Sequence, residues 1–561
     1  MAFSPWYKEM SVYHIWPRSF CDGNGDGIGD LWGVLSKLDY IKSLGVDAIW
    51  FSPLYPSPNA DYGYDVSDYM DIHPDYGNLE VFKEVLEAAH SRGLRVFMDI
   101  VVNHSSDEHP WFKASRSSKD SPYRDYYHWR PGRRSGRKLL PPNNWTSMFE
   151  GGAWEFDDNT DEFYLHLFAK KQPDLNMDNP KVREEVKNIF RFWLDMGVDG
   201  FREDVITFIS KDPRMPNSYP KIPMANGMKY YSNRAQAHDY LREFKEDVLS
   251  KYDCFVVGES PLTTADVALR YITEGEDQVL DEMIAFSHME ADCFMTDAIR
   301  MPFDLVKMKK AFSDWQYKLA GRGWNALYIE NHDHPRVISR YGSERYREES
   351  GKMLAAMYML QRGTPFIYQG QEIGMVNNPL PELDMYKDVM THNNARILSK
   401  LLPRRKVLEI IQQCTRENSR TPMQWSDRKN AGFSEAEPWF PVNDNYHRVN
   451  VHDQEDDPKS LLNFYRTLLR FRKENPVALY GEYLEYMPED KNFYVYERRY
   501  EGQRLLVICA FTAEQLRFDA PKHIDLDRWT LELSNYDYCF AIGNGFTTRP
   551  YEMRVYSLKD T

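Results

Sequence analysis

Cysteine is scarce in this chain. The six in 561 residues (Cys21, Cys254, Cys293, Cys414, Cys509 and Cys539) are scattered, with no Cys-x-x-Cys pair. That argues against a disulfide framework and against a zinc site. No stretch approaches the ~20 consecutive apolar residues of a membrane-crossing helix. The start, Met-Ala-Phe-Ser-Pro-Trp, lacks the basic-then-apolar pattern of an export signal. Positive charge is in deficit, with 70 Lys+Arg against 85 Asp+Glu and a formal net charge of −15. Such a chain lacks the basic face that neutralises nucleic-acid phosphates or an anionic membrane. Internal repeats and low-complexity tracts are missing as well. These absences predict a soluble, cytoplasmic protein, a monomer or weak homo-oligomer, whose partners are small molecules.

What is present is apolar and aromatic. Hydrophobic residues make up 42% of the chain and aromatic ones 14%. That builds a large core and excludes wholesale disorder; spare aromatic rings also suit flat, amphipathic ligands such as sugars. Short apolar runs alternate with helical patterns, as in a parallel sheet wrapped by helices. Eight strands are expected, at Ser11–Trp16, Ala48–Ser52, Val96–Val102, Gly200–Asp204, Phe255–Glu259, Leu280–Phe286, Asn325–Ile329 and Pro365–Gln369. Between them lie amphipathic stretches such as Leu31–Leu44, Leu79–Arg92, Lys181–Met196 and Glu348–Gln361. The pattern is that of an α/β fold, a (β/α)8 TIM barrel built from residues 1–103 and 172–480.

Two spacings are too long for turns. Residues 104–171, rich in Trp, Tyr, Pro and Gly, are expected to form a subdomain inserted after strand three. Its basic stretch (Arg130, Arg133, Arg134, Arg137 and Lys138) reads as a solvated loop. A second excursion follows strand eight, from Glu372 to about Asn450. From 481 to 561 alternating strands predict a C-terminal antiparallel β domain.

Catalytic groups of such barrels sit at the C-terminal ends of the strands. Here those ends carry Asp99, Asn103 and His104, then Arg202 and Asp204, then Glu259, then Asn331, His332 and Asp333. Three carboxylates from three strands meet at one mouth. Glycoside hydrolysis needs two, one to attack the anomeric carbon and one to protonate the leaving oxygen. A third can stabilise the positive charge of the transition state. Side chains alternate along a strand, so Arg202 and Asp204 share a face and Glu203 points away. A guanidinium beside Asp204 would lower its pKa, as a nucleophile requires.

These motifs resemble those of the α-amylase superfamily of glycoside hydrolases, its oligo-1,6-glucosidase branch in particular. The matching stretches are Asp99-Ile-Val-Val-Asn-His104, Gly200-Phe-Arg-Glu-Asp204, Val257-Gly-Glu259, Glu330-Asn-His-Asp333, Gln172-Pro-Asp-Leu-Asn176, Gly363-Thr-Pro-Phe-Ile-Tyr-Gln-Gly370 and Arg420-Thr-Pro-Met-Gln-Trp425. The resemblance implies Asp204 as nucleophile, Glu259 as general acid/base and Asp333 as transition-state stabiliser. It implies that Asp65, His104, Arg202, His332 and Arg416 hold the non-reducing glucose, with a bridge to Glu417 as the alternative for Arg416. Val205 stands where α-1,6-preferring relatives tend to carry Val; its branched side chain would crowd a directly attached α-1,4-linked ring. Two departures stand out: Glu203, where relatives often have an apolar residue, and His334, where they commonly have Gln.

The loop Asp22-Gly-Asn-Gly-Asp-Gly-Ile-Gly-Asp30 places oxygen ligands at alternate positions, as an EF-hand does, but lacks its final Glu. The resemblance implies a structural cation there, Ca²⁺, held by Asp22, Asn24, Asp26, the Ile28 carbonyl and Asp30. The activity it implies is that of a retaining exo-α-glucosidase with α-1,6 preference. Trehalose-6-phosphate hydrolases carry nearly the same motifs. Sucrose isomerases carry an Arg-Leu-Asp-Arg-Asp string that is absent here. Non-catalytic transporter-partner proteins of this fold lose catalytic carboxylates and gain a membrane anchor; this chain keeps all three.

Overall fold

The computed structural model describes residues 5–149, 151–221, 226–294 and 296–559. Eight parallel strands form its centre: β1 (Val12–Ile15), β2 (Ala48–Phe51), β3 (Arg95–Ile100), β4 (Gly200–Glu203), β5 (Phe255–Glu259), β6 (Glu282–Ile284), β7 (Ala326–Leu327) and β8 (Thr364–Tyr368). The hydrogen-bonded order is β6-β5-β4-β3-β2-β1-β8-β7. Strands β6 and β7 lie within 8 Å between Cα atoms without a ladder, so the barrel is nearly closed. All eight expected strands exist: β5 has the expected bounds, β3 and β8 start one residue earlier, and the ends of the others are trimmed by up to a few residues.

Local chemistry explains the helices between them. The helix Pro180–Met196 starts with Asn179 accepting from the Lys181 amide and has Pro180 in its first turn. It stops at Gly197, whose φ of 108° is cheap only for glycine. The helices Leu31–Ser43 and Leu79–Ser91 are capped by Asp30 and Asn78 in the same way. Each buries one stripe against the barrel; Phe82, Val85 and Leu86 do so in the second.

After β3 the chain leaves the barrel. A three-stranded sheet of Trp129–Arg130, Glu162–Leu165 and Trp154–Asp157 forms there, beside a small hairpin that carries the rest of the basic stretch, Arg133 to Lys138. Arg133–Ser135 of that hairpin is exposed, as a solvated loop should be. The excursion after β8 contains helices Val389–Leu398 and Arg404–Cys414. Beyond residue 481 an antiparallel sheet runs in the order Glu482–Tyr486, Phe493–Tyr500, Gln503–Ala510, Met553–Lys559, Thr530–Ser534.

Candidate active site

Register brings the site together. Asp99 on β3 pairs with Arg202 on β4, and Arg202 in turn with Val257 on β5. The next residues on the same faces are Asp204 and Glu259, which therefore meet at the mouth. One guanidinium serves three carboxylates: Arg202 donates to Asp99 at 2.8 Å, to Asp204 at 2.7 Å, and lies 2.5 Å from Glu259. Glu259 also hydrogen-bonds the Asp204 carboxyl and accepts the Val205 amide at 3.1 Å.

The electrostatics differ from the sequence expectation. Asp204 is pushed well above the usual carboxylate range, chiefly by burial, with Glu259 and Asp99 adding to it against the pull of Arg202. Asp99 is pushed up to about 7 and Glu259 is also raised, in both cases first by burial. The expected low pKa assumed that Arg202 serves Asp204 alone. It is shared three ways, so this cluster retains a proton where isolated carboxylic acids have lost theirs.

Across the mouth Asp333 is the opposite case. His332 lies 3.1 Å away, and Arg416 and Arg420 each donate to Asp333 Oδ1 at 3.1 Å. Burial opposes its charge, but these groups outweigh it and hold Asp333 well below the usual range. Burial also pushes His332 down to about 4, so at neutral pH it is a neutral donor and the arginines supply the charge. Its Nε2 sits 2.7 Å from the Tyr64 hydroxyl. His104 Nε2 lies 3.1 Å from the Tyr64 carbonyl and 3.2 Å from Gln172.

Asp65 is a correction. Its carboxylate is consumed within its own loop, accepting from Ser57 Oγ at 2.9 Å, the Ala60 amide at 2.8 Å and the Asp61 amide at 2.9 Å. The acid that meets Arg416 is Asp61, at 2.6 Å, with Gln172 donating to its other oxygen at 3.1 Å. Tyr62 and Gly63 both have positive φ (44° and 103°), and this double reversal sends the two aspartates different ways. Spacing alone could not separate them. Arg416 does not bridge to Glu417; besides Asp61 and Asp333 it pairs with Asp388, at 2.7 Å. Asp388 and Arg420 were the other site residues that sequence reasoning did not single out, although Arg420 opens one of the matching motifs.

Val205 is also placed differently. It adopts φ 37°, rare for a β-branched residue, and is 6% exposed. Its side chain belongs to an apolar cluster with Trp145, Leu165, Leu167 and Phe208, on the seam with the insert. Packing, rather than an open face toward the leaving group, explains that valine.

Glu203 faces the helical layer as expected and finds no partner. It is fully buried, and neither carboxyl oxygen has a hydrogen-bond partner. Burial, with Asp281 nearby, pushes it up to about 8.

The model for the alpha-amylase catalytic domain matches residues 14–481. The chain belongs to the alpha-amylase family. An oligo-1,6-glucosidase of Parageobacillus thermoglucosidasius is 47% identical over 99% of both chains. Among solved structures, the family includes a trehalose-6-phosphate hydrolase of Bacillus licheniformis, 41% identical, TM-score 0.95, covering 99% of this chain and 100% of that one. An isomaltulose synthase from Klebsiella sp. LX3 is 37% identical, with TM-score 0.95 and the same coverage. The nearly closed barrel and its insert are thus this family's architecture in this chain.

In the Asp22–Asp30 loop the side chains turn inward. Asp22 accepts from the amides of Gly25 and Gly27, Asn24 from Asp26, and Asp26 from Ile28, while Asp30 caps the following helix. Among the described residues no three His, Cys, Asp or Glu side chains converge as a metal cluster. The donors are all oxygen, and a carboxylate has about four acceptor sites, so their chemistry fits a hard cation.

Proposed function

We propose that this protein is a retaining exo-α-glucosidase that releases α-glucose from the non-reducing end of short α-glucosides and prefers α-1,6 links. The observation that carries it is the Asp204–Glu259 contact beside an Asp333 held ionised. In the first step the Glu259 proton goes to the glycosidic oxygen as Asp204 attacks the anomeric carbon. Positive charge then builds on the ring, next to Asp333. In the second step Glu259 takes a proton from water, which displaces Asp204 and restores the α configuration. The Asp61–Arg416 ion pair joins the loop after β2 to the segment after β8, and we assign it as the wall at the closed end of the pocket. Only a chain end fits against such a wall. His104 and His332, both kept neutral, are suited to hydrogen-bonding sugar hydroxyls.

The α-1,6 preference rests on the relatives rather than on Val205. The competing reading, trehalose-6-phosphate hydrolysis, requires a site for a phosphate on the leaving sugar. Beside the catalytic carboxylates lies a cavity of about 790 Å³ whose described lining contains Glu290 and Asp297 but no lysine or arginine. Initial rates on isomaltose, panose, maltose, sucrose and trehalose 6-phosphate, measured side by side, test the assignment. Isomaltose and panose should lead, and a lead for trehalose 6-phosphate would reverse it.

We further propose a structural Ca²⁺ in the Asp22–Asp30 loop, on the strength of its donor chemistry. Among the described residues no helix is long and apolar enough to cross a membrane. A cytoplasmic monomer or weak homo-oligomer with oligosaccharide partners, and no nucleic-acid or membrane partner, accords with the acidic surface. Cell fractionation and light scattering test that placement.

A further inference from the structure

The 790 Å³ cavity adjoins the catalytic groups through consecutive residues: His334 follows Asp333, and Pro261 and Leu262 lie just past Glu259. Phe149, beneath the Arg416 guanidinium at 5.5 Å, forms another wall. On that adjacency, a leaving group departing from Glu259 is assigned to this space. Its walls mix apolar side chains such as Phe286, Met289 and Met390 with polar ones, among them Asn143, Ser147, Asn394, Glu290 and Asp297. Asp297 is an acid among them that a buried guanidinium holds. Its Oδ2 lies 2.8 Å from His334 Nδ1 and its Oδ1 accepts from Arg340 at 3.3 Å. Arg340 is anchored in turn by Asp292 at 2.6 Å. Asp297 is nonetheless 23% exposed, so acceptor sites remain on the cavity side. Burial works against its charge, but His334 and Arg340 outweigh it and hold the carboxyl below its usual range.

We propose that Asp297, braced by His334 and Arg340, selects the leaving group: it accepts hydrogen bonds from a neutral sugar and repels one that carries a phosphate. This rests on the α-glucosidase reading above. A fixed carboxylate rewards a hydroxyl donor and penalises a second anion in the same low-dielectric cavity. His334, one of the two departures noted in the sequence, thereby acquires a role as the brace of Asp297.

The test compares Asp297→Asn and His334→Gln with the parent enzyme on isomaltose, trehalose 6-phosphate and α-glucosyl fluoride. The fluoride leaves the cavity without a sugar and so reports folding and chemistry alone. Loss of one charge-assisted hydrogen bond should lower kcat/KM on isomaltose by about tenfold in Asp297→Asn. The value on α-glucosyl fluoride should stay within about twofold, and the ratio of trehalose 6-phosphate to isomaltose should rise about tenfold. His334→Gln should move the same quantities in the same directions by less, and it carries the test should Asp297→Asn fail to fold. Equal losses on isomaltose and the fluoride, or no rise in the phosphate ratio, overturn the proposal. Failure of the glucosidase reading is distinct: it shows in the parent enzyme's own substrate ranking, before any variant is made.

Discussion

The two sides of the catalytic mouth are built from the same residue type and hold it in opposite states. On one side Asp99, Asp204 and Glu259 share the single guanidinium of Arg202, and all three are raised. On the other, Asp333 has Arg416, Arg420 and a neutral His332, and is lowered. Both sides are buried, so burial cannot be the discriminator. What differs is that Asp333 faces His332, Arg416 and Arg420 together, whereas the single guanidinium of Arg202 is split among three acids. Under the proposed mechanism one side supplies the proton for the leaving oxygen, and the other the negative charge for the transition state.

Removing a carboxylate from either side gives the largest effect. Asp204→Ala, Glu259→Gln and Asp333→Asn should each lower kcat by about a thousandfold or more, roughly 4 kcal/mol of barrier, with unchanged circular dichroism. An Asp204→Ala enzyme that kept a tenth of its activity would refute the nucleophile assignment. Early NMR spectra should show α-glucose as the first product, and β-glucose would rule out double displacement.

Changing the charge ratio sharpens the contrast. Asp99→Asn removes one negative charge from the crowded side, so the pKa values of Asp204 and Glu259 fall. Asp204 then ionises at lower pH and Glu259 loses its proton at lower pH, and both limbs of the kcat/KM profile should move down by about one unit. A profile that stayed in place would mean that the three carboxylates do not share the proton.

The sequence carried much of this. Eight strand positions and the strand-end carboxylates were legible because strands alternate with helices and a parallel strand's last residues point into the mouth. Asp61 was not, because two left-handed residues intervene between it and Asp65. The state of Asp204 was not either, because counting the carboxylates around Arg202 requires the register of three strands.

Glu203 extends the comparison to a carboxyl group with no cation at all. Its folded value of about 8 stands above its ordinary 4.5. The native state therefore holds a proton that the unfolded chain has released between those values, and stability is lost as pH rises through that window. Glu203→Met should raise the melting temperature, more at pH 8.5 than at pH 5, by on the order of 2 kcal/mol at the higher pH. An equal shift at both values would show that Glu203 does not titrate in the fold.

The smallest effect on turnover belongs to the Asp22–Asp30 loop, where the change falls on stability alone. If it holds Ca²⁺, a chelator lowers the melting temperature by mass action, removing ~3 kcal/mol of stability when the ion stands at a hundred times its Kd. Asp26→Ala should mimic that loss and leave kcat near that of the parent. A melting curve indifferent to both treatments would leave the loop as a string of backbone turns.

Local sequence determined the barrel, its capped helices and the set of carboxylates at the strand ends, because periodicity, capping and alternation act over a few residues. Tertiary structure alone decided which aspartate meets Arg416, that Val205 is packed rather than open, and which carboxyl groups hold protons. Those outcomes depend on how many charges are gathered around each group once water is excluded, and segments hundreds of residues apart supply them.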